Sequence, residues 1–186
     1  MDTLDAVQGL LHEIGPDVGC RHRFEPGSEL SFDLLARLGL LRSIDRTVPA
    51  CVEHGCPLLG RCAWEADFAG KGARRSGRKF RVTDAGRAAA ADRRLLTRLV
   101  VDTLDGQPPV DALGPEPRSI FSLASDLLEA DVAAVDDRTK GAGMTRRELG
   151  AALRMLAAAG VVDFTADGLE VRRCTDGAGA ALTDVR

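Results

Sequence analysis

KFRVTDAGRAAA, residues 79–90, is the stretch on which the fold turns. Phe80 and Val82 alternate with Lys79 and Arg81, the two-residue period of a strand. Thr83 stands where the alternation stops and can cap a helix, and the pattern beyond it predicts one long helix to about Leu104. Upstream, Leu30, Leu34, Leu35 and Leu38 fall on one face of a helix expected to begin near Ser28 and to stop at Gly39, and residues 40–44 read as a short strand. Leu4, Val7, Leu10, Leu11 and Ile14 mark an earlier amphipathic helix over residues 2–14, closed by Gly15-Pro16. Downstream, GQPPVDALGPEP (106–117) reads as a linker, with its four prolines and two glycines. Ile120, Leu123, Leu127 and Leu128 then mark another helix. Thr145 with Glu148 forms a capping box for a helix buried through Leu149, Leu153, Leu156 and Ala157 and ended by Gly160. VVDF and LEVRR follow as a hairpin around Asp167-Gly168.

This order of elements resembles the winged-helix superfamily, in which a helix closing on a Gly-Leu-Leu step (ARLGLL) runs into a two-stranded wing whose return strand leads to a helix (RVTDAGRAA). The resemblance implies an α+β fold, mainly α with small β-hairpins: tandem winged helix-turn-helix units joined by a long helix and linker. The expected division is a first winged-helix domain over residues 1–105, a linker over 106–117 and a second winged-helix-like domain over 118–186. The first wing departs from the pattern. Its two strands are separated by an insertion of about 34 residues (45–78), unusually long for a loop with no structure of its own.

That insertion contains CVEHGCPLLGRC, residues 51–62, three of the chain's five cysteines with a histidine among them. The N-terminus carries Asp2 and Asp5 where an export signal needs positive charge, and the longest apolar run, Met155–Val162, is far below the roughly 20 residues that cross a bilayer. A cytoplasmic protein with no membrane partner is expected. In a reducing compartment an odd number of cysteines argues against a disulfide framework and toward metal ligation. Thiolate is a ligand common to zinc and iron–sulfur clusters. Cys51-x4-Cys56 could supply one arm of a zinc site, but Cys56-x5-Cys62 is loose for the other, and three cysteines on one looping segment suit a larger cubane.

The step CPLLGRC resembles the cysteine loop of iron–sulfur transcriptional repressors of the IscR and NsrR kind. The likeness covers Cys51, Cys56, Pro57, Leu58 and Cys62, and it implies a cluster, 4Fe–4S before other types, that responds to iron, oxidants or nitric oxide. Zinc and a metal-free loop remain the alternatives. A cubane needs a fourth ligand; Cys20 is favoured, His54 is the local alternative and Glu53 a third choice. Cys174 reads as a packing residue.

The net charge of −3 conceals an asymmetry. Ten basic residues against two acids lie between Lys71 and Arg98, a local +8 that leaves −11 for the rest of the chain. Lys71, Arg74, Arg75, Arg78, Lys79 and Arg81 would lie at or beside the first wing, where phosphate neutralisation on double-stranded DNA is their expected task. In the second unit Arg146, Arg147 and Arg154 are placed to do the same. No enzyme constellation competes: Gly72-x4-Gly77 has the outline of a phosphate loop but is followed by Arg78-Lys79, where Lys and then Ser or Thr are required. The expected function is a DNA-binding regulator whose cluster state is coupled to DNA affinity. The rival is a tandem winged-helix subunit or adaptor of a larger assembly with a purely structural zinc or cluster. Homodimerisation through the helix after Thr83 and internal packing of that helix are equally compatible with its pattern.

Overall fold

A computed structural model of the chain describes residues 2–16, 18–20, 30–44, 79–108, 110–126, 144 and 146–175. Among them helices alternate with two three-stranded antiparallel sheets, an α+β arrangement. The chain divides into two compact units, residues 7–92 and residues 1–6 with 93–186.

The first unit contains α1 (Thr3–Ile14) from Val7 onward, β1 (Val18–Cys20), α2 (Phe32–Arg37), β2 (Leu41–Ile44), β3 (Lys79–Val82) and α3 (Asp84–Ala91). Helix α2 starts later than Ser28. Ser31 is its cap, extended in backbone, with its hydroxyl accepting from the Leu34 amide at 3.3 Å. The helix ends on Gly39 at φ +71°, where the Leu40 amide reaches back to the Leu35 carbonyl and the Gly39 amide to Ala36. This paired closure needs a left-handed residue, and glycine takes that conformation without a Cβ clash. The chain then turns directly into β2. Strand β3 lies between β1 and β2, pairing Phe80 with Gly19 and Ser43 and Val82 with Leu41. Phe80, Val82 and Leu41 are buried with Leu34, Leu35 and Leu38 of the α2 segment, and the Phe80 ring meets Phe32 with centroids 5.0 Å apart.

Thr83 joins the sheet to the next helix. Its hydroxyl accepts from the Gly86 amide and donates to the Gly39 carbonyl at 2.6 Å, and its own amide donates to the Leu40 carbonyl at 3.0 Å. One side chain thus caps α3 and ties it to the end of α2. Gly86 makes the close approach feasible: a Cβ there would lie 2.2 Å from the Leu40 carbonyl oxygen. At the far end of α3, Gln8 on α1 donates through Nε2 to the carbonyls of Ala89 and Ala90, two of the acceptors that a helix terminus leaves open.

The long helix expected after Thr83 is interrupted. Asp92 is extended (φ −129°, ψ 107°), so α3 stops at Ala91 and α4 (Arg93–Leu104) begins afresh. Aspartate competes with the helix for its own backbone groups and favours such cap geometry.

The second unit contains α4, a 3₁₀ turn (Val110–Ala112), β4 (Arg118–Ser119), a helical segment over 120–126, α5 (Arg146–Ala158), β5 (Val162–Phe164) and β6 (Glu170–Arg173). Leu96, Val100 and Leu104 of α4, Leu123, and Leu149, Leu153, Met155 and Leu156 of α5 are buried. In the proline-rich stretch Val110 and Leu113 are buried too, and the Arg173 amide donates to the Gly114 carbonyl. Helix α5 closes as α2 does: Gly160 has φ +76°, its amide reaches Ala157, and the Val161 amide reaches Leu156. The β5–β6 turn has Gly168 at φ +69°, with Asp167 accepting from the Thr165 hydroxyl and the Leu169 amide. Strand β6 lies between β4 and β5. The first turn of α1 belongs to this unit, where Arg93 bridges Asp2 at 2.6 Å and Asp5 at 2.5 Å. The Arg93 guanidinium holds the Asp2 carboxyl below its ordinary value.

Candidate functional site

The sheet of the first unit frames the site. Its last paired row consists of Cys20, Lys79 and Ile44, Lys79 being registered with Cys20 on one side and Ile44 on the other. Ile44 is the residue before the 45–78 insertion and Lys79 the residue after it, so Cys20 shares a row with both roots of that insertion. Cys51, His54, Cys56, Cys62, Lys71, Arg74, Arg75 and Arg78 lie outside the described residues. Among the described residues no three His, Cys, Asp or Glu side chains converge as metal ligands would.

One row inward, Arg81 is registered with Arg42 on β2 and with Val18 on β1. Directly opposed residues of an antiparallel pair share a face of the sheet, with Cβ atoms about 4.5–5.5 Å apart. Two guanidinium-bearing side chains therefore stand side by side. Arg42 is exposed and Arg81 half-buried, with its Nε shielded from solvent and without a hydrogen-bond partner. Neither meets a carboxylate among the described residues. Opposed like charges destabilise a strand pair, so the arrangement is one that a bound anion would relieve. Sequence reasoning singled out Arg81 and passed over Arg42. The signal in the sequence is partial: Arg42 and Ser43 are the polar residues between Leu40-Leu41 and Ile44, but the register that brings Arg42 to Arg81 spans the whole insertion.

In the second unit the expected basic residues are on α5. Arg147 is exposed, and the Arg154 guanidinium lies over Gly150, 3.6 Å from where a Cβ would stand. Arg146 is the first residue of the helix. Three arginines on the sheet of this unit pair with acids: Arg118 with Asp126 at 2.8 Å, Arg173 with Asp105 at 2.8 Å, and Arg172 with Asp163 at 3.5 Å. Pro115, Gly160, Asp163, Arg172, Arg173 and Cys174 line a shallow cleft of about 350 Å³. Cys174 is half-buried there as a free thiol. Among the described residues no helix is long and apolar enough to cross a membrane.

Comparison of the chain with protein-family models, curated proteins and solved structures finds no match.

Proposed function

We propose that this chain is a DNA-binding transcriptional regulator built from two winged-helix units, with a cysteine loop that binds an iron–sulfur cluster and couples redox, iron or nitric-oxide state to DNA binding. The observation that carries the reading is a repeated architecture. In each unit a helix is followed by a strand and, further on, by a helix closed on a left-handed glycine that runs into two more strands, with the helical segment over 120–126 intervening in the second unit; in each sheet the last strand lies between the first two. Such a unit projects its glycine-closed helix toward the major groove and its hairpin toward phosphates.

The donor set fits a metal centre. Cys51, Cys56 and Cys62 would hold it, with Cys20 as fourth ligand and His54 as the alternative; Cys20 is supported by its place in one strand row with both roots of the insertion. Such a centre supplies a crosslink that depends on iron and oxidant, with zinc as the rival occupant. The chain's own residues do the rest: β2 and β3 fix where the insertion leaves and returns, and Lys71, Arg74, Arg75, Arg78, Lys79 and Arg81 neutralise phosphates beside it. Arg146, Arg147 and Arg154 give the second unit a basic helix.

Purification without air, followed by iron, sulfide and zinc analysis and an absorption spectrum, tests the centre. The expected product is brown, and Cys56→Ala loses the metal and shifts duplex affinity. A colourless protein holding zinc would replace sensing with the rival reading, a tandem module with a structural staple. Replacing Arg74, Arg75 and Arg78 should lower the salt dependence of duplex binding by about one unit for each phosphate no longer neutralised. Undiminished salt dependence would remove the DNA role of that stretch.

A further inference from the structure

We infer that Arg42 and Arg81 form a seat for one phosphate group on the first unit's sheet. The inference goes beyond the DNA reading, because it follows from the sheet itself and holds whether or not the chain binds a duplex. Three observations carry it. Register sets the two arginines directly opposite each other on adjacent strands, with Val18 at the third position of the row. The Arg81 Nε is buried without a hydrogen-bond partner. No carboxylate neutralises either guanidinium among the described residues, although the other sheet has an arginine–aspartate pair between facing strands, Arg172 with Asp163.

The chemistry of the occupant follows. Two planar guanidinium groups offer parallel N–H donors to an anion with several acceptor oxygens and more than one face, which a tetrahedral phosphate supplies and chloride does not. The half-buried Arg81 gives the seat its direction, and exposed Arg42 closes it from the solvent side. A phosphate there can belong to a nucleic-acid backbone or to a small phosphate-bearing molecule. The chemistry of the seat is the same for both.

The test uses the full chain in chloride buffer, titrated with inorganic phosphate at constant ionic strength, with thermal unfolding as the readout. The midpoint should rise with the logarithm of phosphate concentration above the dissociation constant, by about 5 °C at ten times that constant. Arg42→Gln should abolish the logarithmic part and keep only the linear rise common to structure-making salts. Without phosphate, Arg42→Gln should melt no lower than the parent, because it removes a like-charge opposition. Arg81→Lys, which keeps the charge and the buried stem but loses the planar fork, should weaken phosphate binding several-fold. An equal phosphate response in parent and Arg42→Gln overturns the proposal. So does a phosphate-free midpoint for Arg42→Gln well below the parent, which would make Arg42 a packing residue. Fluorescence anisotropy with a labelled mixed-sequence duplex then assigns the source. Loss of affinity with a salt slope reduced by about one in Arg42→Gln supports a seat for a backbone phosphate. Unchanged duplex binding with lost phosphate stabilisation supports a small phosphate-bearing ligand.

Discussion

Replacing Gly86 by alanine should unfold the first unit at far lower denaturant, and the geometry of the junction sets the size of the effect. The new Cβ would stand 2.2 Å from the Leu40 carbonyl oxygen and 2.8 Å from Val82 Cγ1. An ordinary carbon–oxygen separation is about 3.3 Å, so the two backbones must move apart by about 1 Å. They are not free to do so, because the same Leu40 oxygen accepts from the Thr83 amide at 3.0 Å and the Thr83 hydroxyl at 3.1 Å. Overpacking costs about 1–3 kcal/mol and each weakened hydrogen bond about 1, against a helix-propensity gain of about 1 for alanine over glycine. The net loss is about 3 kcal/mol, which lowers the urea midpoint by about 2 M at a slope of about 1.5 kcal/mol/M. Two controls separate crowding from conformation. Gly39 has no atom within 4 Å of its would-be Cβ but has φ +71°, so Gly39→Ala should cost only the left-handed penalty of about 1–2 kcal/mol. Gly150, in the middle of α5, would meet only the movable Arg154 guanidinium at 3.6 Å, so Gly150→Ala should be neutral or stabilising by up to about 1 kcal/mol. Unfolding followed by far-ultraviolet circular dichroism measures all three. A Gly86→Ala protein within about 0.5 kcal/mol of the parent would refute the tight helix–strand junction as a source of stability.

Thr83→Val should cost about 1–2 kcal/mol in the same assay, since it removes the α3 cap together with the bonds to Gly39 and Leu40. Acid should weaken the Arg93 bridge. Asp2 has its folded pKa below the unfolded value, so its contribution is complete above about pH 4 and is lost as pH falls through the folded value. Asp2→Asn should flatten the acid limb of a stability–pH profile by no more than about 1 kcal/mol, because both partners are about a third or more exposed and screened by solvent. Leu96→Ala, at a fully buried site on α4, should cost about 2–5 kcal/mol.

Much of this architecture was legible because its signals are local. The Gly39 and Gly160 stops, the Thr83 cap and the Asp167-Gly168 turn each depend on residues within a few positions, and each is found at or next to the expected place. The start of α2 moved from Ser28 to Ser31 because two serines three residues apart are equally good caps, and only packing of Phe32 against Phe80 chooses between them. The break at Asp92 is hidden by an apolar pattern, Ala89, Leu96 and Val100, that continues across it at helical spacing. Strand β4 was missed because its two residues carry no alternation; it exists because β6 offers an edge to pair with. The opposition of Arg42 and Arg81 is harder still to read, since it is set by register between strands separated by the entire insertion.

The two sheets share a strand order and differ in how they treat charge, and that difference bears on where an anion should bind. In the second unit Arg118, Arg172 and Arg173 each have an aspartate within 3.5 Å, so bringing up a phosphate must first displace a carboxylate. In the first unit Arg42 and Arg81 have no such competitor among the described residues, and an incoming phosphate meets two donors already forced together by the ladder. The ladder brings the two side chains together before binding and no carboxylate has to be displaced, so the first sheet is the better seat even though the second carries more arginines. Removing the competing acid inverts the comparison: Asp163→Asn frees Arg172 and should create a second phosphate-dependent stabilisation absent from the parent, read as a further rise in the thermal midpoint. If Asp163→Asn leaves the phosphate response unchanged, carboxylate competition is not what distinguishes the sheets, and the case for the first rests on the Arg42–Arg81 row alone.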